Sequence, residues 1–323
     1  MTIHEILASV SPYMQKTEAM ILEDIQHHVP LITHVSDHIL QSGGKRIRPA
    51  MLILSAQAFG AIHKPVLRAA QVVEYIHTAT LLHDDVVDNA TLRRSRKTAR
   101  NIWGNEASVL VGDYLFSMAF HMLVQLKEIS VLNLMSETTT LMARGEISQL
   151  LRNNEAATEQ EYLDIIFKKT ACLFAASTKM GAILNQASPE AQQAMYDYGM
   201  AVGMAFQIVD DTLDYVDNET QTGKAPGIDL RERKITLPLR HLLDTASEME
   251  KEHLKEILQS PEITEKEVKE VISLMKQHAS LEYSLKVAEN YIDQACLSLE
   301  VITDSSIRKT LSGLARFVVS RNG

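Results

Sequence analysis

The chain has 323 residues, with 41 acidic against 32 basic side chains and a formal net charge of −9 at pH 7. That acidic balance, with few aromatics, excludes nonspecific nucleic-acid binding through a basic face or a stacking platform. Gly (13) and Pro (8) are scarce, Leu, Ala, Ile, Met, Glu and Lys are abundant, and alternating β-branched runs are hard to find, so the expected class is all-α. Cys172 and Cys296 are too few for a structural zinc site and nothing requires them to pair.

The first residues, MTIHEILASV, lack the basic start and long apolar core of a signal peptide, and no uncharged apolar run reaches the length of a membrane span. A cytoplasmic protein with no integral membrane segment is expected. Helical patterns cover residues 16 to 29 and 31 to 41 and stop at Gly43 and Gly44. Lys45, Arg46 and Arg48 follow, with Pro49 opening the next helix. Cations at a helix start oppose the macrodipole, which points to an anion site built from a Gly-Gly turn, side-chain charge and free helix N–H groups.

The stretch Glu74 to Arg94, EYIHTATLLHDDVVDNATLRR, reads as one long helix, because Ile76, Ala79, Leu82, Val86 and Val87 recur at spacings of three and four. It ends in acid: Asp84 and Asp88 are one turn apart with Asp85 beside them, and Arg93 and Arg94 come about a turn later. A basic loop leads to an apolar helix from about Asn105, where Met118 and Met122 are a turn apart; such a stripe fills a core or fits a flexible apolar ligand. Further helices are expected at 130 to 152, 159 to 187 and 189 to 217, with Ser188-Pro189 as a break. The last of these, GMAFQIVDDTLDY, again closes on acids, Asp210, Asp211 and Asp214. Gly223, Lys224 and Lys234 lie just beyond it. Residues 236 to 323 are helical and more charged, with Pro261 at a junction. No linker or low-complexity run appears, so residues 1 to 323 are expected to form a single domain.

One acidic helix end could be a solvated face. Two are harder to explain that way. Six carboxylates around one space are tolerable only with cations among them, and oxygen-only ligands select hard ions such as Mg2+, which keeps waters and binds substrate phosphate with the rest of its shell.

The segments GGKRIRP, HTATLLHDDVVD, LVGDYLFS, KKTACLF, FQIVDDTLDY and TGKAPGIDLRERKITLPL, in this order over nearly the whole length, make the chain resemble the trans-isoprenyl diphosphate synthases, within them the long-chain polyprenyl diphosphate synthases of the bacterial octaprenyl type. The resemblance implies an orthogonal helical bundle, a homodimer, and two Asp-rich helices facing each other over a central cavity. It assigns isopentenyl diphosphate to Lys45, Arg48, His77 and Arg94, and the allylic diphosphate to Arg93, Lys169, Thr170, Gln207, Lys224 and Lys234. It implies that Asp84, Asp88 and Asp210, supported by Asp85, Asp211 and Asp214, hold three Mg2+ ions. One departure is the loop Arg93-Arg94-Ser95-Arg96-Lys97-Thr98, where the family usually has Gly after the two arginines.

The implied reaction joins isopentenyl diphosphate head-to-tail to an allylic primer such as farnesyl diphosphate, giving an all-trans polyprenyl diphosphate of about C40 for a quinone side chain. In the family the residue five before the first Asp stops the chain when it is Phe or Tyr; here it is Ala79, so the floor should lie deeper, at Met118, Met122, Leu134 and Met135. A short-chain synthase, or the catalytic subunit of a heptaprenyl or solanesyl synthase, is the alternative. A weak partner subunit would show a damaged acidic motif, and both motifs are complete. A terpene cyclase or head-to-head synthase would lack Lys45 and Arg48.

Overall fold

The computed structural model describes residues 3–26, 29–40, 46–93, 96–151, 158–216 and 226–320. Five helices come first, α1 (Ile3–Ala8), α2 (Ser11–Ile25), α3 (Pro30–Leu40), α4 (Ile47–Phe59) and α5 (Lys64–Val87). A short antiparallel hairpin follows, β1 (Leu92–Arg93) and β2 (Arg96–Lys97), with Leu92 opposite Lys97 and Arg93 opposite Arg96. Then come α6 (Ala99–Trp103), α7 (Asn105–Gln125), α8 (Ile129–Leu151) and α9 (Glu159–Ile166), the last running through a π-helical turn (Phe167–Ala171) into α10 (Cys172–Leu184). The chain closes with α11 (Pro189–Leu213), α12 (Ile228–Arg231), α13 (Leu237–Thr245), α14 (Glu248–Gln259), α15 (Glu265–Gln277), α16 (Ser280–Ser298) and α17 (Ser305–Val319). The class is all-α, and the hairpin is the only strand pairing among the described residues.

Contacts sort the residues into two compact units, each assembled from three separated stretches. The first comprises Met1–Glu137, Leu173–Gly199 and Leu299–Leu311. Its centre is α4, in which every residue from Pro49 to Ala56 is buried, as expected for a helix that is apolar all round. The helix α10 crosses α4 so closely that a Cβ at Gly181 would run into the Leu52 carbonyl and the Ala56 amide, so only glycine fits there. Ser55 Oγ donates to the Thr178 carbonyl at 2.6 Å at the same crossing. The middle of α5 is also buried continuously, from Ala69 to Ile76, between α4, α2 and α7. Among the described residues, α7 is the one helix long and apolar enough to cross a membrane by length and composition. It carries Glu106 and Asp113 and buries one side against α5.

The second unit comprises Thr138–Cys172, Met200–Ser298 and Ser312–Gly323. Tyr215, Leu230, Leu239, Leu242, Leu254, Val268, Val271 and Met275 form its apolar centre. Reciprocal capping boxes start its peripheral helices: Thr158 with Glu161 for α9, Ser247 with Glu250 for α14, and Thr264 with Glu267 for α15. Arg231 and Arg233 tie the α12 turn down by donating to the carbonyls of Ile263 (2.8 Å) and Pro261 (3.2 Å). That turn carries Asp229 and Lys234.

The first acidic helix ends at Val87, among the acids as expected. Asp88 caps it, Asn89 takes a left-handed backbone (φ 52°) that asparagine tolerates, and Thr98 Oγ1 closes the loop by donating to the Ala90 carbonyl. Arg93 therefore stands on a strand rather than a helix. The second acidic helix likewise ends at Leu213, before Asp214, instead of running to 217.

Candidate active site

In the first unit the three acids at the end of α5 differ in exposure. Asp84 is half-buried, Asp85 buried and Asp88 exposed. Asp85 accepts from Arg93 Nε at 2.9 Å. Burial pushes the Asp85 carboxyl above its usual range, while the Arg93 guanidinium pulls it back. The hairpin thus brings Arg93 onto the middle acid.

Upstream on α5, Ala79 is fully buried. Met122 on α7 and Met135 on α8 are buried, and Met118 and Leu134 are half-buried. Phe116 and Phe120, with ring centroids 5.2 Å apart, are bulky side chains on α7 that were not singled out from the sequence. At the start of α4, Arg48 Nη1 lies 3.3 Å from His77 Nε2, and the Arg48 guanidinium sits over the Phe174 ring at 4.2 Å. The two residues expected to take isopentenyl diphosphate are therefore neighbours. Arg46, the third cation of the basic turn, is a structural tie: it bonds Glu18 (2.9 Å), Glu74 (2.7 Å) and the Leu40 carbonyl (3.2 Å). Its charge is matched by two acids, which offsets the unfavourable placement at a helix start. Lys45, Arg94 and Lys224 lie outside the described residues.

The second unit repeats the pattern. Asp210 is exposed, Asp211 buried and Asp214 half-buried. Asp211 accepts from Tyr162 Oη through Oδ2 and from Gln207 Nε2 through Oδ1, both at 2.7 Å, and Gln207 Oε1 in turn accepts from Thr170 Oγ1 at 2.8 Å. Lys169 Nζ lies 3.1 Å from the Glu146 carboxylate and 3.3 Å from Gln149 Oε1. Both Lys169 and Thr170 sit on the π-helical turn, a distortion that recurs at functional sites. Gly145 lets α8 approach it: a Cβ there would fall 2.9 Å from Lys168 Cβ. Asp214 accepts the Asp229 amide through Oδ2 at 2.9 Å, and its carbonyl accepts the Gly227 amide at 2.7 Å. Lys234 Nζ pairs with Glu232 at 2.7 Å. Burial pushes the Asp211 carboxyl up to about 6 although the bonds from Tyr162 and Gln207 pull it back, and burial, then Asp211 and Asp214, pushes Asp229 up to about 8. Tyr162, Glu146, Gln149 and Asp229 were not picked out from the sequence. Asp229 stood in a recognised motif, and Tyr162 is two helical turns before Thr170, the only signal it offered.

Residues 29–275 match the family model described as Polyprenyl synthetase. The chain belongs to the polyprenyl synthetase family. It is 39% identical over 323 residues to the octaprenyl diphosphate synthase of Haemophilus influenzae, covering 100% of this chain and 98% of the relative. Its fold is similar to a crystal structure of a decaprenyl diphosphate synthase from Rhodobacter capsulatus, with TM-score 0.94, 37% identity and 99% of each chain covered. A polyprenyl synthase from Caulobacter crescentus, solved with calcium and isoprenyl diphosphate, matches with TM-score 0.94 and 36% identity, covering 100% of this chain and 98% of that one. The chain is accordingly a prenyltransferase of isoprenoid biosynthesis.

The donor chemistry of this polyprenyl synthetase fits a hard divalent cation. Every candidate ligand is a carboxylate oxygen, and burial and like neighbours disfavour ionisation of Asp211 and Asp229, a cost that a cation would offset. Among the described residues no three His, Cys, Asp or Glu converge closely enough to hold a metal alone.

Proposed function

We propose that the chain condenses isopentenyl diphosphate head-to-tail onto an allylic diphosphate and repeats the step to a long all-trans product, about C40. The observation that carries the reading is the repeated acid arrangement. In each motif the outer carboxylates are more open, and the middle one is buried and bonded to a side chain assigned to diphosphate, Arg93 in one unit and Gln207 in the other. The fully buried Ala79 supports a long product, since no ring stands five residues before Asp84.

Asp84, Asp88 and Asp210 would hold three Mg2+ ions, with Asp85, Asp211 and Asp214 in support. When bound, these ions would supply Lewis-acid stabilisation of the diphosphate leaving group. The chain's own cations do the rest of the electrostatic work: Arg93, Lys169, Lys224 and Lys234 take up charge as the allylic C–O bond breaks and its electron pair leaves on diphosphate. Lys45, Arg48, His77 and Arg94 hold isopentenyl diphosphate so that its double bond meets the allylic cation. A proton then leaves the new bond's neighbour, and the released diphosphate accepts it, so no dedicated protein base is required. The apolar walls below the acids exclude water from the cation.

We take residues 1–323 as a single synthase domain, because neither unit can be cut out as one continuous segment. A homodimer is proposed through the solvent side of α7 and the start of α8, where Leu110, Val124 and Ile129 are exposed apolar residues that a monomer would leave wet.

The test is incubation with radiolabelled isopentenyl diphosphate, farnesyl diphosphate and Mg2+, followed by chromatography. A ladder ending near C40 is expected. Diphosphate release from the allylic substrate alone, with no incorporation of label, would replace the reading with a cyclase.

A further inference from the structure

The second acidic motif contains a residue that its chemistry does not require to touch either substrate. Tyr162 on α9 is buried, and its hydroxyl donates to Asp211 Oδ2 at 2.7 Å. Asp211, itself 8% exposed, receives its other bond from Gln207 Nε2 at 2.7 Å, one turn earlier on α11. An ionised carboxylate only accepts, so Asp211 obliges Gln207 to turn its NH2 toward it, and Gln207 Oε1 toward Thr170 Oγ1 at 2.8 Å. Tyr162 and Thr170 belong to one continuous helical run, and Gln207 and Asp211 to the facing one. The four side chains therefore form a relay of three hydrogen bonds, from Tyr162 through Asp211 and Gln207 to Thr170.

The consequence is geometric. Asp211 is held by two neutral donors, and its oxygens point to Tyr162 and Gln207. Without the phenol, Oδ2 would be a buried acceptor with no donor, a state relieved only by rotation or protonation. Either change would release the Gln207 amide and then the Thr170 hydroxyl.

We propose that Tyr162 is a positioning residue for the allylic-diphosphate half of the site, acting through Asp211 to orient Gln207 and Thr170. This rests on the assignment of Thr170 and Gln207 to the allylic diphosphate. Tyr162→Phe keeps the ring and removes only the donor. It is expected to raise KM for farnesyl diphosphate roughly ten-fold, the scale of one charge-assisted hydrogen bond, and to leave KM for isopentenyl diphosphate within about two-fold. Calorimetric titration with an unreactive thiolo analogue of farnesyl diphosphate in the presence of Ca2+ should show the same loss without turnover.

A double-mutant cycle separates positioning from general stability. In a Gln207→Leu background the further effect of Tyr162→Phe on the allylic KM should vanish, because the relay is already broken. Equal changes in both Michaelis constants, or additive effects in the cycle, would overturn the proposal. If Tyr162→Phe fails to fold by circular dichroism, Tyr162→Met, which also removes the donor, replaces it: a selective allylic effect supports the relay, an equal effect on both substrates overturns it. Thr170→Val tests the assignment underneath. No change in its allylic KM brings down assignment and proposal together, whereas a change there with none in Tyr162→Phe removes the proposal alone.

Discussion

At the residue scale, acids of one motif do opposite things to stability. Asp84 and Asp210 crowd like charges, so Asp84→Ala or Asp210→Ala should abolish Mg2+-dependent turnover while the melting temperature of the metal-free protein holds or rises, as scanning fluorimetry would show. Arg93→Ala should behave differently. It strands Asp85, whose side chain is 2% exposed, and should cost about 1–3 kcal/mol in a urea titration as well as activity. A stable Arg93→Ala would mean that the pair is not what holds the hairpin. This distinction was not legible in the sequence. DDxxD shows three equivalent aspartates, and only packing makes the middle one an anchor.

At the element scale, the turn from Gly227 to Lys234 lays Asp229 against the end of α11. Burial first, then Asp211 and Asp214, raise the Asp229 carboxyl far above its unfolded value. A raised folded value for an acid means that the folded state binds more protons, so stability is lost as pH climbs from the ordinary carboxylate range toward the raised one. Asp229→Asn should therefore raise the melting temperature of the metal-free protein at pH 8 and have little effect near pH 4, measured by fluorimetry across a pH series. An effect that is flat with pH would assign the change to packing. Helix α5 gives the complementary lesson. Its apolar spacing and its close on the acids were readable, but not the left-handed Asn89 or the Thr98 bond to Ala90 that shape the loop after it.

For the whole molecule, two expected outcomes concern size. Ala79→Tyr should put a ring beside the growing chain and shorten the main product to about C15 to C20, since one helical turn, about 5.4 Å, is close to one isoprene unit. Met122→Ala, deeper on α7, should lengthen it and cost about 2–5 kcal/mol as a buried truncation. Thin-layer chromatography of the labelled products decides both, and an unchanged length in Ala79→Tyr would remove the tunnel while leaving the ionising chemistry. Leu110→Glu, at a side chain 64% exposed, should convert a dimer to monomer in light scattering without loss of the monomer's fold. A monomeric parent protein would dismiss that interface.

The sequence by itself determined the helical class, the order of the motifs, the family and the chemical type of the ligands, because periodicity, carboxylate spacing and clustered cations are local properties written along the chain. It also carried the break at Pro189 and the start of the helix at Asn105. Tertiary structure alone decided which partners each cation of the basic turn meets. Arg46 and Arg48 are two residues apart, yet one is tied between Glu18 and Glu74 and the other lies beside His77. It decided, too, that Tyr162 meets Asp211 across 49 residues of chain. The reason is physical: a hydrogen bond between distant segments depends on how two helices pack, and no spacing within either helix encodes its partner on the other.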